Sequence, residues 1–201
     1  MKAWISLVLT LLFCSPASAN NQTLLVLGDS LSAAFGIEQQ QGWVSLLQKR
    51  LQQEARDYQV INASISGETT SGGMSRLPTL LQRHQPRIVI IALGANDGLR
   101  GLSLKQMQAN LNGMIEQSKQ KGAVVLLVGM RLPPNYGPAY THLFHDTFNQ
   151  LAAAQKVPLI PFLLDGIGKD KSMFQRDGLH PTAQAQVKIL KNIWPSLKDM
   201  L

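Results

Sequence analysis

The 201-residue chain has a single cysteine, only 6% aromatic residues and only 15% charged residues. Cys14 lies in an N-terminal leader that is expected to be removed. The remainder then has no thiol nucleophile, no thiolate metal site and no disulfide, and its stability rests on packing. Basic residues outnumber acidic ones, 19 to 12, for a net charge of +7, or +6 once Lys2 is subtracted. No run of Lys and Arg exceeds two, and aromatic residues do not interleave with them. That dispersal argues against a nucleic-acid partner and for a solubilising surface. No long apolar run occurs after residue 20, so no membrane insertion is expected once the leader is gone.

The leader itself is legible. Lys2 gives a positive start, Ala3 to Phe13 is almost wholly apolar, and Ala17-Ser18-Ala19 is a small-x-small cleavage pattern. Residues 1–19 therefore read as a signal peptide cleaved after Ala19, which places the protein in the periplasm or outside the cell. A retained anchor fits less well, because the run is short and polar sequence follows at once. A lipid anchor on Cys14 fits poorly beside Phe13. The expected mature chain, residues 20–201, suits one monomeric domain with a sizeable core.

Short apolar runs recur at Leu24–Leu27, Tyr58–Ile61, Ile88–Leu93, Ala123–Val128 and Val157–Ile160. Because they are mostly apolar rather than alternating, they predict strands covered on both faces. Helical stripes separate them. One is Trp43, Leu46, Leu47 and Leu51; a second is Leu104, Met107, Leu111, Met114 and Ile115, opened by a Ser103/Gln106 capping box. A third is Leu143, Phe144, Phe148 and Leu151, and a fourth is Val187, Leu190, Ile193, Trp194 and Leu197. Strand and helix in alternation predict an α/β domain on a five-stranded parallel sheet, which binds ligands beyond the carboxyl ends of its strands.

The loops at those ends hold the polar residues of interest. After the first run comes Gly28-Asp29-Ser30-Leu31-Ser32, with Ser30 placed to open a helix where backbone amides are positive. After the second comes Asn62-Ala63-Ser64-Ile65-Ser66-Gly67-Glu68-Thr69; Gly67 can offer a backbone N–H to an oxyanion without obstruction. After the third, Gly94-Ala95-Asn96-Asp97-Gly98 supplies a non-titrating carboxamide donor in Asn96, while Asp97 can hold loop N–H groups. Before the last helix, Asp177-Gly178-Leu179-His180-Pro181 sets a carboxylate three residues from a histidine. A serine hydroxyl needs a base, and a histidine base needs a carboxylate to fix its tautomer. Taken singly, these residues are also a capping serine, a turn glycine, a turn asparagine and an exposed histidine. Together on one sheet edge they are a nucleophile, two oxyanion donors, an orienter and a base.

These blocks resemble those of the SGNH (GDSL) hydrolase superfamily. With Gly94 to Gly101 and Arg131-Leu132-Pro133-Pro134-Asn135-Tyr136-Gly137, the pattern is similar to the periplasmic thioesterase I, protease I and lysophospholipase subgroup of Gram-negative bacteria. The likeness runs from about Thr23 to Leu197. It implies a three-layer flavodoxin-like fold and metal-free, cofactor-free hydrolysis of acyl thioesters, aryl esters and lysophospholipids. It also implies Ser30 as nucleophile, Gly67 and Asn96 as oxyanion donors, and Asp177 and His180 as orienter and base. Glu68 stands where some relatives have Asp. Asp29, Leu99, Pro134 and Tyr136 are the expected substrate-binding residues, with the stretch from Arg131 to Gly137 lining an acyl groove as a flap.

Rival patterns are thin. Gly-x-Ser-x-Gly is absent, Ser64 occupying the first glycine position of the nearest approximation, and there is no phosphate-binding glycine fingerprint. His142-x-x-His145-Asp146 has metal-ligand residue types but shares its helix with the Leu143/Phe144 stripe. A carbohydrate O-acetylesterase on the same scaffold and a non-catalytic lipid-binding module are the alternatives to an acyl ester or thioester hydrolase.

Overall fold

In a computed structural model, the described residues are 22–201; the expected signal peptide and Cys14 lie outside them. The first strand, β1 (Gln22–Gly28), is the hinge of the topology, because it pairs in parallel with both β2 (Tyr58–Asn62) and β3 (Ile88–Ala92). Then come β4 (Val124–Val128) and the two-residue β5 (Leu159–Ile160), giving the order β2-β1-β3-β4-β5 with every pairing parallel. Leu24 to Leu27 and Ile88 to Ile91 are fully buried, which is why these segments read as unbroken apolar runs.

Helices cover both faces. After β1 comes α1 (Trp43–Gln53), which packs with the C-terminal α6 (Ala183–Lys198) on one side. The other side carries α2 (Thr70–His84), α4 (Leu104–Gln120) and α5 (Pro138–Gln155) in a row. The short α3 (Ala95–Leu99) sits in the loop after β3. The arrangement is a three-layer α/β/α sandwich of the flavodoxin type. Its chain reverses direction across the sheet at β1 and β3, which opens a crevice between their carboxyl ends.

Two of the expected stripes are rotated. Leu143 is 63% exposed, and Thr147 is buried beside Phe144 and Phe148 instead, with its hydroxyl donating to the Leu143 carbonyl. Val187 is likewise exposed. Gln186 takes the inward position one step earlier, where its side-chain oxygen accepts the Trp43 backbone N–H at 3.1 Å. A buried amide satisfied in this way carries no apolar signal for periodicity to read. The Ser103 cap forms, but Gln106 turns its amide to Asn110 at 2.9 Å rather than back to the cap.

At the amino-terminal edge, the helix-to-strand returns pass through residues in the left-handed region: Ala55, Gln85, Gly122 and Lys156, at φ of 52°, 42°, 81° and 50°. Such a residue ends a helix by turning the chain away from it.

Candidate active site

Ser30 lies just past β1, but no helix opens on it. The segment after Gly28 is a succession of turns, in which Ser32 and Ala33 donate their N–H groups to the Asp29 carbonyl. α1 begins only at Trp43. The turn is tight, and a Cβ at Gly28 would sit 2.7 Å from the Ser32 hydroxyl. The Ser30 N–H has no acceptor among the described residues, which leaves it available as a donor.

His180 meets Ser30 from the opposite end of the sequence. Its Nε2 is 2.9 Å from Ser30 Oγ, and its Nδ1 is 2.7 Å from Asp177 Oδ2. The hairpin that carries both residues is self-braced. Asp177 Oδ1 accepts the N–H groups of Leu179 and His180, and a bridge joins Phe174 to Pro181. These bonds push the Asp177 carboxyl down to about 2, the His180 N–H contributing most, followed by the histidine ring and the Leu179 N–H. Asp177 therefore remains an anion throughout the neutral range and fixes the proton of the histidine on Nδ1.

The residues expected as oxyanion donors come from three loops. Gly67 holds φ +79°, a conformation side chains rarely adopt, and its N–H has no acceptor among the described residues. Asn96 Nδ2 donates to the Glu68 carbonyl at 3.0 Å and to Asp29 Oδ2 at 3.3 Å. Asp97 is buried and anchors the start of α2 by accepting both the Thr70 N–H at 2.9 Å and its hydroxyl at 2.6 Å. Asp97 thus holds loop backbone, as its position after β3 suggests.

Asp29 is the second carboxylate beside the serine. It is 2% exposed, and burial raises its carboxyl to about 6, against the lowering effect of the Leu31 N–H and of His180. Its side chain forms part of the cavity floor, bonded to Asn96.

A cavity of about 490 Å³ opens over Ser30. Leu99, Met130, Leu132, Pro134, Phe162 and Leu164 supply apolar wall, and Asp29, Asn96 and His180 supply polar groups. Leu99 and Pro134 thus line it as expected. Tyr136, expected to bind substrate, does not line it; its phenol donates instead to the carbonyl of the lining residue Leu99 at 2.9 Å.

Three contacts around the site escaped the sequence. The Phe35 ring lies 4.4 Å from the His180 ring, centre to centre. The Arg100 guanidinium donates to the Gly67 carbonyl at 2.8 Å. Glu68 forms an ion pair with Arg76, which also donates to the Ala63 carbonyl. No local pattern marks these residues, because each acts on a partner from another loop or across a turn. Arg100 falls inside the stretch from Gly94 to Gly101, but its partner lies 33 residues away.

A serine held by a histidine–carboxylate pair, beside unengaged amides at the carboxyl edge of a parallel sheet, is the arrangement of a serine hydrolase. The GDSL-like lipase/acylhydrolase family model matches residues 26–187, and the chain belongs to that family. It is 53% identical over 180 residues to esterase TesA of Pseudomonas aeruginosa, covering 90% of each chain. It is 42% identical to thioesterase 1/protease 1/lysophospholipase L1 of Escherichia coli K12 over 180 residues, covering 90% of this chain and 84% of that one. A solved crystal structure of TesA superposes with a TM-score of 0.88 at 53% identity, covering 90% of this chain and 100% of the other. The chain is thus an SGNH-type hydrolase.

Proposed function

We propose that the protein cleaves acyl esters and thioesters, lysophospholipids among them, through an acyl-serine intermediate. His180 takes the Ser30 proton as Ser30 Oγ attacks the acyl carbonyl, and Asp177 stabilises the resulting imidazolium. The N–H groups of Ser30 and Gly67, with the Asn96 carboxamide, bind the oxyanion. The leaving alcohol or thiol departs with the proton from His180, and water, activated by the same histidine, then releases the acid. The observation that carries this reading is the continuous chain Ser30 Oγ, His180 Nε2, His180 Nδ1, Asp177 Oδ2, with links of 2.9 and 2.7 Å at the mouth of an apolar cavity.

The apolar wall and its 490 Å³ suit an acyl chain. They fit an acetyl-sugar less well, since such a substrate asks for a small acyl hole and many polar partners. Leu99 and Pro134 contact the chain in this reading, and Tyr136 acts on it through Leu99. The leader at residues 1–19 supports a mature domain of residues 20–201 acting outside the cytoplasm, and the relatives' names support lipid fragments and free esters as its substrates.

Labelling by a fluorophosphonate tests the chemistry, because only an activated serine reacts. Wild type labels and Ser30→Ala does not, with p-nitrophenyl butyrate turnover lost in parallel. A Ser30→Ala protein with undiminished turnover would sink the proposal. Matched ester, thioester, lysophospholipid and acetyl-sugar panels then rank the substrates.

A further inference from the structure

Gly67 is the third residue of a turn, Ile65-Ser66-Gly67-Glu68, closed by the Glu68 N–H on the Ile65 carbonyl at 3.1 Å. Its φ of +79°, with Ser66 outside the positive-φ region, makes the turn type II, and the central peptide carries the Gly67 N–H. Neither the Ser66 carbonyl nor the Gly67 N–H has a partner among the described residues. The direction of that N–H is therefore set by whatever holds the rest of the turn. Packing contributes little, since Ile65 and Ser66 are exposed and a Cβ on Gly67 would meet only the Arg100 guanidinium, at 3.3 Å.

Two side chains do hold the turn. Arg100 Nη2 donates to the Gly67 carbonyl at 2.8 Å, and Asn96 Nδ2 donates to the next carbonyl, that of Glu68, at 3.0 Å. Consecutive carbonyls are thus met by residues one helical turn apart, for the Arg100 N–H closes on the Asn96 carbonyl at 3.1 Å. The helix that carries Asn96 and is capped by Arg100, α3, is itself firmly seated. Asp97 ties it to Thr70, and the Tyr136 and Tyr140 phenols donate to its Leu99 and Gly98 carbonyls. A Cβ at Gly98 would sit 2.5 Å from the Phe144 ring, so the helix lies flush against α5. Arg100 is exposed and does not line the cavity over Ser30. Its guanidinium stays charged at every working pH, which strengthens its bond to a carbonyl.

We propose that Arg100 is a positioning residue for the oxyanion hole. It stitches the Gly67 turn to α3, so that the Gly67 N–H and the Asn96 carboxamide converge on one point. Such donors stabilise an oxyanion most when they are fixed in place before the reaction. The role rests on the hydrolase reading, in which Gly67 and Asn96 are those donors.

The test is steady-state hydrolysis of p-nitrophenyl acetate, butyrate and octanoate by the full chain and by its Arg100→Met, Arg100→Lys and Asn96→Ala variants. Arg100→Met lowers kcat about tenfold, by the same factor at each acyl length, with KM nearly unchanged. Arg100→Lys keeps a charged donor and recovers most of the loss. Thermal melts of both stay near wild type, because the bond lies at the surface. Wild-type kcat in Arg100→Met, beside a loss of about 10²-fold or more in Asn96→Ala, overturns the positioning role and leaves the hydrolase reading intact. A loss that grows with acyl length overturns it too, since such a loss acts through the cavity wall at neighbouring Leu99. So does a change confined to KM. Undiminished kcat in Asn96→Ala overturns the oxyanion assignment itself, and the positioning role with it.

Discussion

Two aspartates flank one serine–histidine pair, and their surroundings tune them in opposite directions. Asp177 sits on an exposed hairpin, bonded by three donors within three residues of itself, and is held down to about 2. Asp29 lies on the buried floor, where burial outweighs its partners and raises it to about 6. The hairpin side is local and dissolves no apolar packing if altered. The floor side is long-range, joining residues 67 positions apart through Asn96, and its charge is carried at a cost to the fold. Burial on the floor and hydrogen bonding to the ionised form on the hairpin separate the pair.

The largest expected effect strikes the hairpin. Asp177→Asn keeps the shape but favours the wrong histidine tautomer, and kcat falls by about 10³–10⁴. Thermal melts of the variant at neutral pH stay close to wild type, since the lost bonds are solvent-exposed. A comparable loss of stability would mean that the hairpin is not the independent unit described.

Next comes the donor that reaches across the floor. Asn96→Ala lowers kcat by about 10²–10³ with little change in KM, read with a soluble p-nitrophenyl ester. A fall confined to KM would assign Asn96 to ground-state binding.

The smallest effect on rate carries the sharpest signature. The folded Asp29 carboxyl titrates at about 6 against an ordinary 3.8. Its value is raised, so the fold bears the cost of the ionised form above about pH 6 and sheds it as pH falls towards about 4. Asp29→Asn removes that cost and stabilises the protein by about 1–3 kcal/mol at pH 7.5, an advantage that vanishes near pH 4. At the same time kcat drops roughly tenfold, because Asn96 loses its acceptor. Melting temperature against pH, measured beside kcat, checks both. A variant less stable at pH 7.5 than wild type would contradict the burial cost.

The sequence displayed the architecture and the residues that converge on Ser30 because both depend on short patterns. Unbroken apolar runs mark doubly covered strands, and Asp177 and His180 lie close enough in the chain to be read as a pair. It did not display Phe35 against His180, or Arg100 on the Gly67 carbonyl, because those contacts exist only once separate loops converge. The rotated stripes at Leu143 and Val187 failed for a related reason. Thr147 and Gln186 are polar, and they are buried because each is satisfied, Thr147 by the Leu143 carbonyl one turn back on its own helix and Gln186 by the distant Trp43 N–H. Asp29 was legible as a neighbour of the serine but not as a buried acid, since burial is a property of the assembled floor.

The four left-handed returns lie at the edge of the sheet remote from Ser30, and only one of them, Gly122, is glycine. Ala55, Gln85 and Lys156 each hold a conformation that a side chain resists by about 1 kcal/mol. The molecule therefore keeps a reserve of untapped robustness at the end where no chemistry happens. An engineer seeking a hardier catalyst can draw on that reserve, or tether the protein to a solid support there, while the working rim faces the substrate undisturbed.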